Sequence, residues 1–296
     1  MTRRTDYNRV NGSIANMWRT GGDLVGSDYG VWTNRLDLAT LPEQAAMVGP
    51  GSFANPDYLQ VGYSPRTHKG GGGAHPGSKT MDILEQRSMF TMWACLPGPL
   101  ILGADLRSSA FNTGAGLDDD VLLILNNTEV IGMFVEPVLA YHHHHHHHHH
   151  QFHEKTHNQP SLFFSGVNQD PAAQPMRPVR RAGGMEVWKK PLSAGNGSAV
   201  VFFHRNDTGY TIEDHYATPA AAAEAAAAER AAAAEHGHPA KMVNVSWEEL
   251  GLAVGDKVTV RDLWAKETLG VYAGWFNASV AWHEAKIFTF KIKGPE

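Results

Sequence analysis

At 296 residues with 42% hydrophobic content, the chain is long enough to bury a core and to hold two domains. Its 25 basic and 30 acidic residues leave a net charge of -5, and no Lys/Arg cluster is interleaved with aromatics, which argues against a nucleic-acid partner. No run is apolar for long enough to span a membrane, and the polar opening lacks the apolar stretch of a secretory signal.

Residues 1–13 read as a polar tail or frayed terminus, and residues 14–18 as a short strand. Residues 28–46 then carry Val31, Leu36, Leu38 and Leu41 at helical spacing. A second strand-like segment ends at Asp57, and residues 63–78, with glycines at 70–73 between prolines, read as a mobile loop. Residues 81–96 repeat Ile83, Leu84, Met89, Met92 and Trp93 at steps of three and four, and Pro97 stops the helix. Residues 99–103 follow as a buried strand, and residues 118–125 as a helix whose N-terminal acids suit the dipole. Strands alternating with helices, and acids placed just past strands, are the grammar of a βα-barrel with its site at the C-terminal strand ends. Such a barrel closes with eight strands. About three are legible, so residues 1–131 read as the last part of a (β/α)8 TIM barrel.

Residues 132–165 interrupt that pattern with nine consecutive histidines, His142 to His150. A histidine tract binds transition metals in one reading. In the other it is translated non-coding sequence, disordered and without fixed ligand spacing, and no metal site is assigned to it. Residues 166–185 close the barrel portion and link it onward. From residue 186 to 296 the pattern becomes short alternating strands, at 199–204, 257–263, 279–282 and 287–292, which predicts an antiparallel β-sandwich. The fold class is therefore α/β, a C-terminal barrel portion followed by a sandwich. Residues 217–240 interrupt the sandwich with an alanine-rich stretch whose composition predicts an exposed helix.

Cys95, the one cysteine, excludes an internal disulfide and sits among apolar neighbours as a buried thiol. Asn-x-Ser/Thr triplets begin at Asn11, Asn126, Asn196, Asn206, Asn244 and Asn277, which is either a glycan pattern of a secreted protein or accident in Ser/Thr-bearing loops.

Two stretches carry the chemistry. In Asn16-Met17-Trp18-Arg19-Thr20-Gly21-Gly22-Asp23 and in Gly49-Pro50-Gly51-Ser52-Phe53-Ala54-Asn55-Pro56-Asp57-Tyr58-Leu59, apolar residues suited to a strand break into glycine or proline with an acid just beyond. Read alone, Arg19 and Asp23 make a surface ion pair. In order and spacing, however, the two stretches resemble the second half of the α-galactosidase (melibiase) family, family 27 of the glycoside hydrolases. The resemblance continues through Met92-Trp93-Ala94, Pro99-Leu100-Ile101-Leu102-Gly103-Ala104-Asp105-Leu106-Arg107, Glu129-Val130-Ile131, Val167-Asn168-Gln169-Asp170-Pro171, Glu186-Val187-Trp188 and Val260-Arg261-Asp262-Leu263-Trp264.

The resemblance implies a retaining glycosidase, in which a nucleophile and an acid/base stand about 5 Å apart across the anomeric carbon. It assigns the acid/base to Asp23, gives Arg19 and Trp18 substrate-binding or supporting roles, and gives Asp57 a supporting one. The family's first acid in the second motif is Asn55 here, and its Trp and Asn are Phe53 and Ala54. The family's nucleophile follows a Lys-Tyr-Asp strand, which this sequence does not contain, so the resemblance implies a fragment inactive by itself. It further implies an α-galactoside substrate on an oligosaccharide, glycolipid or glycoprotein, no cofactor, a secreted or lysosomal/vacuolar location, and compatibility with a homodimer. The alternative is a non-catalytic carbohydrate-binding or interaction protein built on the same fold.

Overall fold

The computed structural model describes residues 15–24, 28–49, 51–63, 81–104, 118–135, 175–192, 197–205 and 239–294. The histidine tract, most of the glycine loop and of the alanine-rich stretch, and the sequons at Asn11, Asn196 and Asn206 lie outside them.

Three parallel chain segments make the barrel portion. β1 (Met17–Arg19) pairs in register with β2 (Phe53–Asn55), Met17 opposite Phe53 and Arg19 opposite Asn55. Further along, Leu59 N donates to the Ile101 carbonyl at 2.7 Å and Gly103 N to the Leu59 carbonyl at 2.9 Å, a parallel bridge of Leu59 to Leu102. That bridge is all that forms of the strand expected at residues 99–103. Leu100 is buried, but Ile101 is 44% exposed, as is Met17 of β1 at 45%.

The helices form the adjoining layer. α1 (Tyr29–Ala39) starts at Asp28, whose carboxylate accepts from Gly30 N and Val31 N. Its buried face is Tyr29, Trp32, Thr33, Leu36, Asp37 and Ala39, rotated from the expected Val31, Leu36, Leu38 and Leu41, which apart from Leu36 are half-buried. The rotation follows from Asp37, which sequence periodicity counts as polar and the fold buries against arginines. A short α2 (Pro42–Ala45) follows. α3 (Ile83–Ala94) opens with a capping box in which Asp82 accepts from Glu85 N and Glu85 from Asp82 N. Ile83 is exposed, while Glu85 and Gln86 are buried. α4 (Asp119–Leu125) and α5 (Thr128–Val135) complete the layer, with α5 running four residues past the expected start of the insertion.

Ten strands are described in all. β3 (Arg177–Ala182), β4 (Met185–Pro191), β5 (Gly197–His204), β7 (Lys257–Asp262), β8 (Glu267–Ala273) and β10 (Ala285–Ile292) form one antiparallel sheet in the order β3-β4-β5-β10-β7-β8. β6 (Lys241–Ser246) and β9 (Trp275–Val280) form the second. β3 joins the large sheet before residue 186, and β9 ends at Val280, so residues 281–282, expected within a strand, belong instead to the turn that follows β9.

β5 explains how the two parts join. Its run Ala199-Val200-Val201-Phe202-Phe203 is apolar on both faces, as a strand covered on both sides must be. Val200 and Phe202 face the second sheet with Val243, Val245, Phe276 and Phe288, whereas Ala199, Val201 and Phe203 face the helices with Trp32, Leu36, Phe90 and Trp93. Barrel helices and sandwich therefore share one core. Charge crosses the same boundary: Arg205 grips Asp37 of α1 through two bonds of 2.6 and 2.9 Å, Arg181 reaches Asp37 at 2.9 Å, and Glu186 pairs with Arg205 at 3.1 Å. Burial alone would lower the pKa of Arg205, but the Asp37 and Glu186 carboxylates outweigh it and hold the guanidinium more firmly charged than usual.

Candidate active site

Strand alternation decides what β1 offers. Arg19 is presented on one side, and Trp18 is turned to the other, 4% exposed, its indole N–H donating to Gln44 Oε1 at 2.7 Å. Trp18 thus supports β1 from behind and is not brought to the same surface as Arg19.

Arg19 Nη2 donates to Asp57 Oδ2 at 2.5 Å, to Asp23 Oδ1 at 3.3 Å and to the Gly22 carbonyl at 3.0 Å. One guanidinium therefore joins two carboxylates of very different surroundings. The Asp23 side chain is 83% exposed, and that of Asp57 is 8% exposed. The turn carrying Asp23 is pinned from α1 by Arg35, which donates to the Gly22 carbonyl at 2.7 Å and the Asp23 carbonyl at 3.2 Å. Gly21 lets Arg35 and Leu38 close over this turn, since a Cβ there would stand 2.9 Å from Arg35 Cδ and 3.0 Å from Leu38 Cδ1 and would push these side chains back.

Asp57 is the fixed point. Its φ of 100° is a conformation that non-glycine residues adopt at a cost of roughly 1–3 kcal/mol. Oδ2 accepts from Leu24 N at 2.8 Å as well as from Arg19, and Oδ1 from Tyr58 N at 2.8 Å. Its own N–H donates to Asn55 Oδ1 at 2.8 Å, and its carbonyl accepts from Trp93 Nε1 at 3.0 Å. The side-chain oxygen of Asn55 thus does as an amide the accepting that a carboxylate would do there. Tyr58 carries the next contact: its hydroxyl donates to the Leu24 carbonyl at 3.2 Å, burial raises its pKa, and its ring lies where a Cβ on Gly103 would come within 2.0 Å.

The resemblance singled out Arg19, Asp23 and Asp57, and the fold brings these three side chains within hydrogen-bonding distance of one another through Arg19. It gave no sign of Gln44 or Arg35, whose roles depend on contacts between separate elements. Among the described residues no group of three or more His, Cys, Asp or Glu side chains could hold a metal ion.

Residues 182–290 match the model of the α-galactosidase C-terminal β-sandwich domain. The α-galactosidase of Oryza sativa subsp. japonica is 29% identical over 277 residues, 94% of this chain and 44% of that protein, and that of Cyamopsis tetragonoloba is 26% identical, covering 93% and 45%. The chain spans less than half the length of these relatives. Among solved structures, a family 27 β-L-arabinopyranosidase from Geobacillus stearothermophilus superposes with a TM-score of 0.61 at 20% identity, over 98% of this chain and 48% of that one. An α-galactosidase/melibiase-like protein from Bacteroides fragilis gives 0.62 at 19%, over 97% and 45%. Barrel portion and sandwich both find counterparts in these folds: residues 182–290 carry the α-galactosidase C-terminal β-sandwich domain, and the chain as a whole is similar to α-galactosidases of the melibiase family, family 27 of the glycoside hydrolases.

Proposed function

We propose that this chain carries the acid/base half of a retaining α-galactosidase site, with terminal α-linked galactose as substrate and a secreted or vacuolar setting. Asp23 protonates the departing glycosidic oxygen and then takes a proton from the attacking water, Arg19 orients that carboxylate or a sugar hydroxyl, and Asp57 positions Arg19. The observation that carries the reading is the Asp23–Arg19–Asp57 chain, in which an exposed carboxylate is tied through one arginine to a buried, strained one.

Asp57 is not the nucleophile in this reading. Both its oxygens already accept hydrogen bonds and it is buried, so neither is free to attack an anomeric carbon. In this reading the attacking carboxylate is supplied by a complementary barrel portion joined to this one.

Residues 1–296 alone are therefore expected to release no aryl α-galactoside above background. Fusing the N-terminal barrel portion of the rice relative ahead of Met1 should restore turnover. In that fusion Asp23→Asn should lose hydrolysis of galactosides with poor leaving groups, while activated aryl galactosides, which need little protonation, still complete the first step and accumulate the glycosyl-enzyme. Equal loss on both substrate types with the fold intact removes Asp23 from the role.

A further inference from the structure

The outer face of the β6–β9 sheet holds groups that the glycosidase reading leaves unused. The two-residue period of β9 sends Phe276 and Val280 into the sandwich core and turns Trp275, Asn277 and Ser279 outward. Trp275 is 58% exposed, and across the ladder Met242, Asn244 and Ser246 of β6 stand opposite Ser279, Asn277 and Trp275, with Met242 63% exposed. Two large apolar side chains left bare on an outer sheet face call for a cover. The same face spells the acceptor triplet twice, as Asn244-Val245-Ser246 and as Asn277-Ala278-Ser279.

The two triplets differ in what already holds them. Arg180 Nη2 donates to the Asn244 carbonyl and lies 3.4 Å from its Oδ1, while the Ser246 hydroxyl is bound to Glu249 Oε2 at 3.0 Å. Asn277 and Ser279 are exposed, and among the described residues no hydrogen bond engages the amide of the one or the hydroxyl of the other.

We propose that Asn277 is an N-glycosylation site whose first sugar lies against the Trp275 ring. The side-chain nitrogen of Asn277 attacks the anomeric carbon of an oligosaccharide carried on a polyprenyl diphosphate. The new C–N bond replaces the C–O bond to the diphosphate, which leaves with the electron pair, and the amide gives one proton to a base of the transferring enzyme. Residues two apart on a strand share a face, so the apolar C–H face of an N-acetylhexosamine on Asn277 can rest on the indole and cover it. Directly opposed strand residues stand about 5 Å apart, so that same sugar fills the space above Asn244.

The full chain, translated behind a eukaryotic secretion leader in the presence of microsomes, should carry a glycan on the Asn277 peptide, mapped as conversion to Asp when an amidase releases the sugar in heavy-oxygen water. Asn277→Gln should remove that signal, and Asn244→Gln should leave it. Enzymatic release should make Trp275 several-fold more reactive in hydroxyl-radical footprinting and lower Tm, with no change of Tm on release in Trp275→Ala. An Asn277 left bare, whether or not another triplet is modified, overturns the site. A modified Asn277 with unchanged Trp275 reactivity on release overturns the stacking.

Discussion

Five hydrogen bonds converge on Asp57, at its N–H, its carbonyl and both carboxylate oxygens, and together they hold a backbone conformation that alanine cannot adopt more easily. Asp57→Ala strips the three that reach the carboxylate and leaves Leu24 N buried without a partner, so a loss of about 2–3 kcal/mol is expected from urea unfolding, with a smaller one for Asp57→Asn. Cys95 is the opposite kind of buried group, one made inert by its surroundings. Burial pushes its thiol up to about 11, so folded protein should resist a thiol reagent at pH 8 and react once unfolded. Because the unfolded thiol ionises first, stability should be flat below about pH 8.5 and fall by on the order of 2 kcal/mol as pH rises to 11, a decline that Cys95→Ala should lack. The burial of Cys95 was legible from its apolar neighbours. The rearward orientation of Trp18 was not drawn from the sequence, although strand alternation next to Arg19 contained it.

At the scale of elements, the boundary between α1 and the large sheet rests on four charges. Asp37→Ala leaves Arg205 and Arg181 facing Glu186 alone in a nearly dry interior, and a loss of about 3–5 kcal/mol, measured as a lower denaturant midpoint at unchanged slope, is the expected result. Replacing Asp37, Arg181, Glu186 and Arg205 together by apolar residues of similar volume should cost much less than that single change. None of this network could be read from sequence, where Asp37 and Arg205 are 168 residues apart. Strands β5, β7 and β10 were legible because central strands need apolar side chains. β3 and β8, at the two ends of the sheet order, were not: an edge strand with exposed side chains such as Arg177 or Glu267 has no alternation to show. The third barrel segment was over-read for the converse reason, since Leu100, Ile101 and Leu102 look like a buried strand while Ile101 is 44% exposed among the described residues.

For the whole molecule, the shared core predicts one cooperative unfolding transition. Fluorescence from the tryptophans on both sides, Trp32 and Trp93 in the helices and Trp188 and Trp247 in the sandwich, should fall together with far-ultraviolet dichroism, and two resolved transitions would count against a common core. The same feature bears on covalent continuity. Trp264 Nε1 donates to Thr91 at 2.9 Å, Asn127 Nδ2 to the Leu263 carbonyl at 3.0 Å, and Arg261 grips Glu129 with bonds of 2.6 and 2.7 Å, all reaching across from sandwich to helices. A peptide bond cut within residues 136–174 would sever the chain between two pieces that already hold each other by packing, ion pairs and hydrogen bonds. Such a nicked protein should elute as one species and come apart only in denaturant, so that a protease could divide the polypeptide in two without dividing the particle.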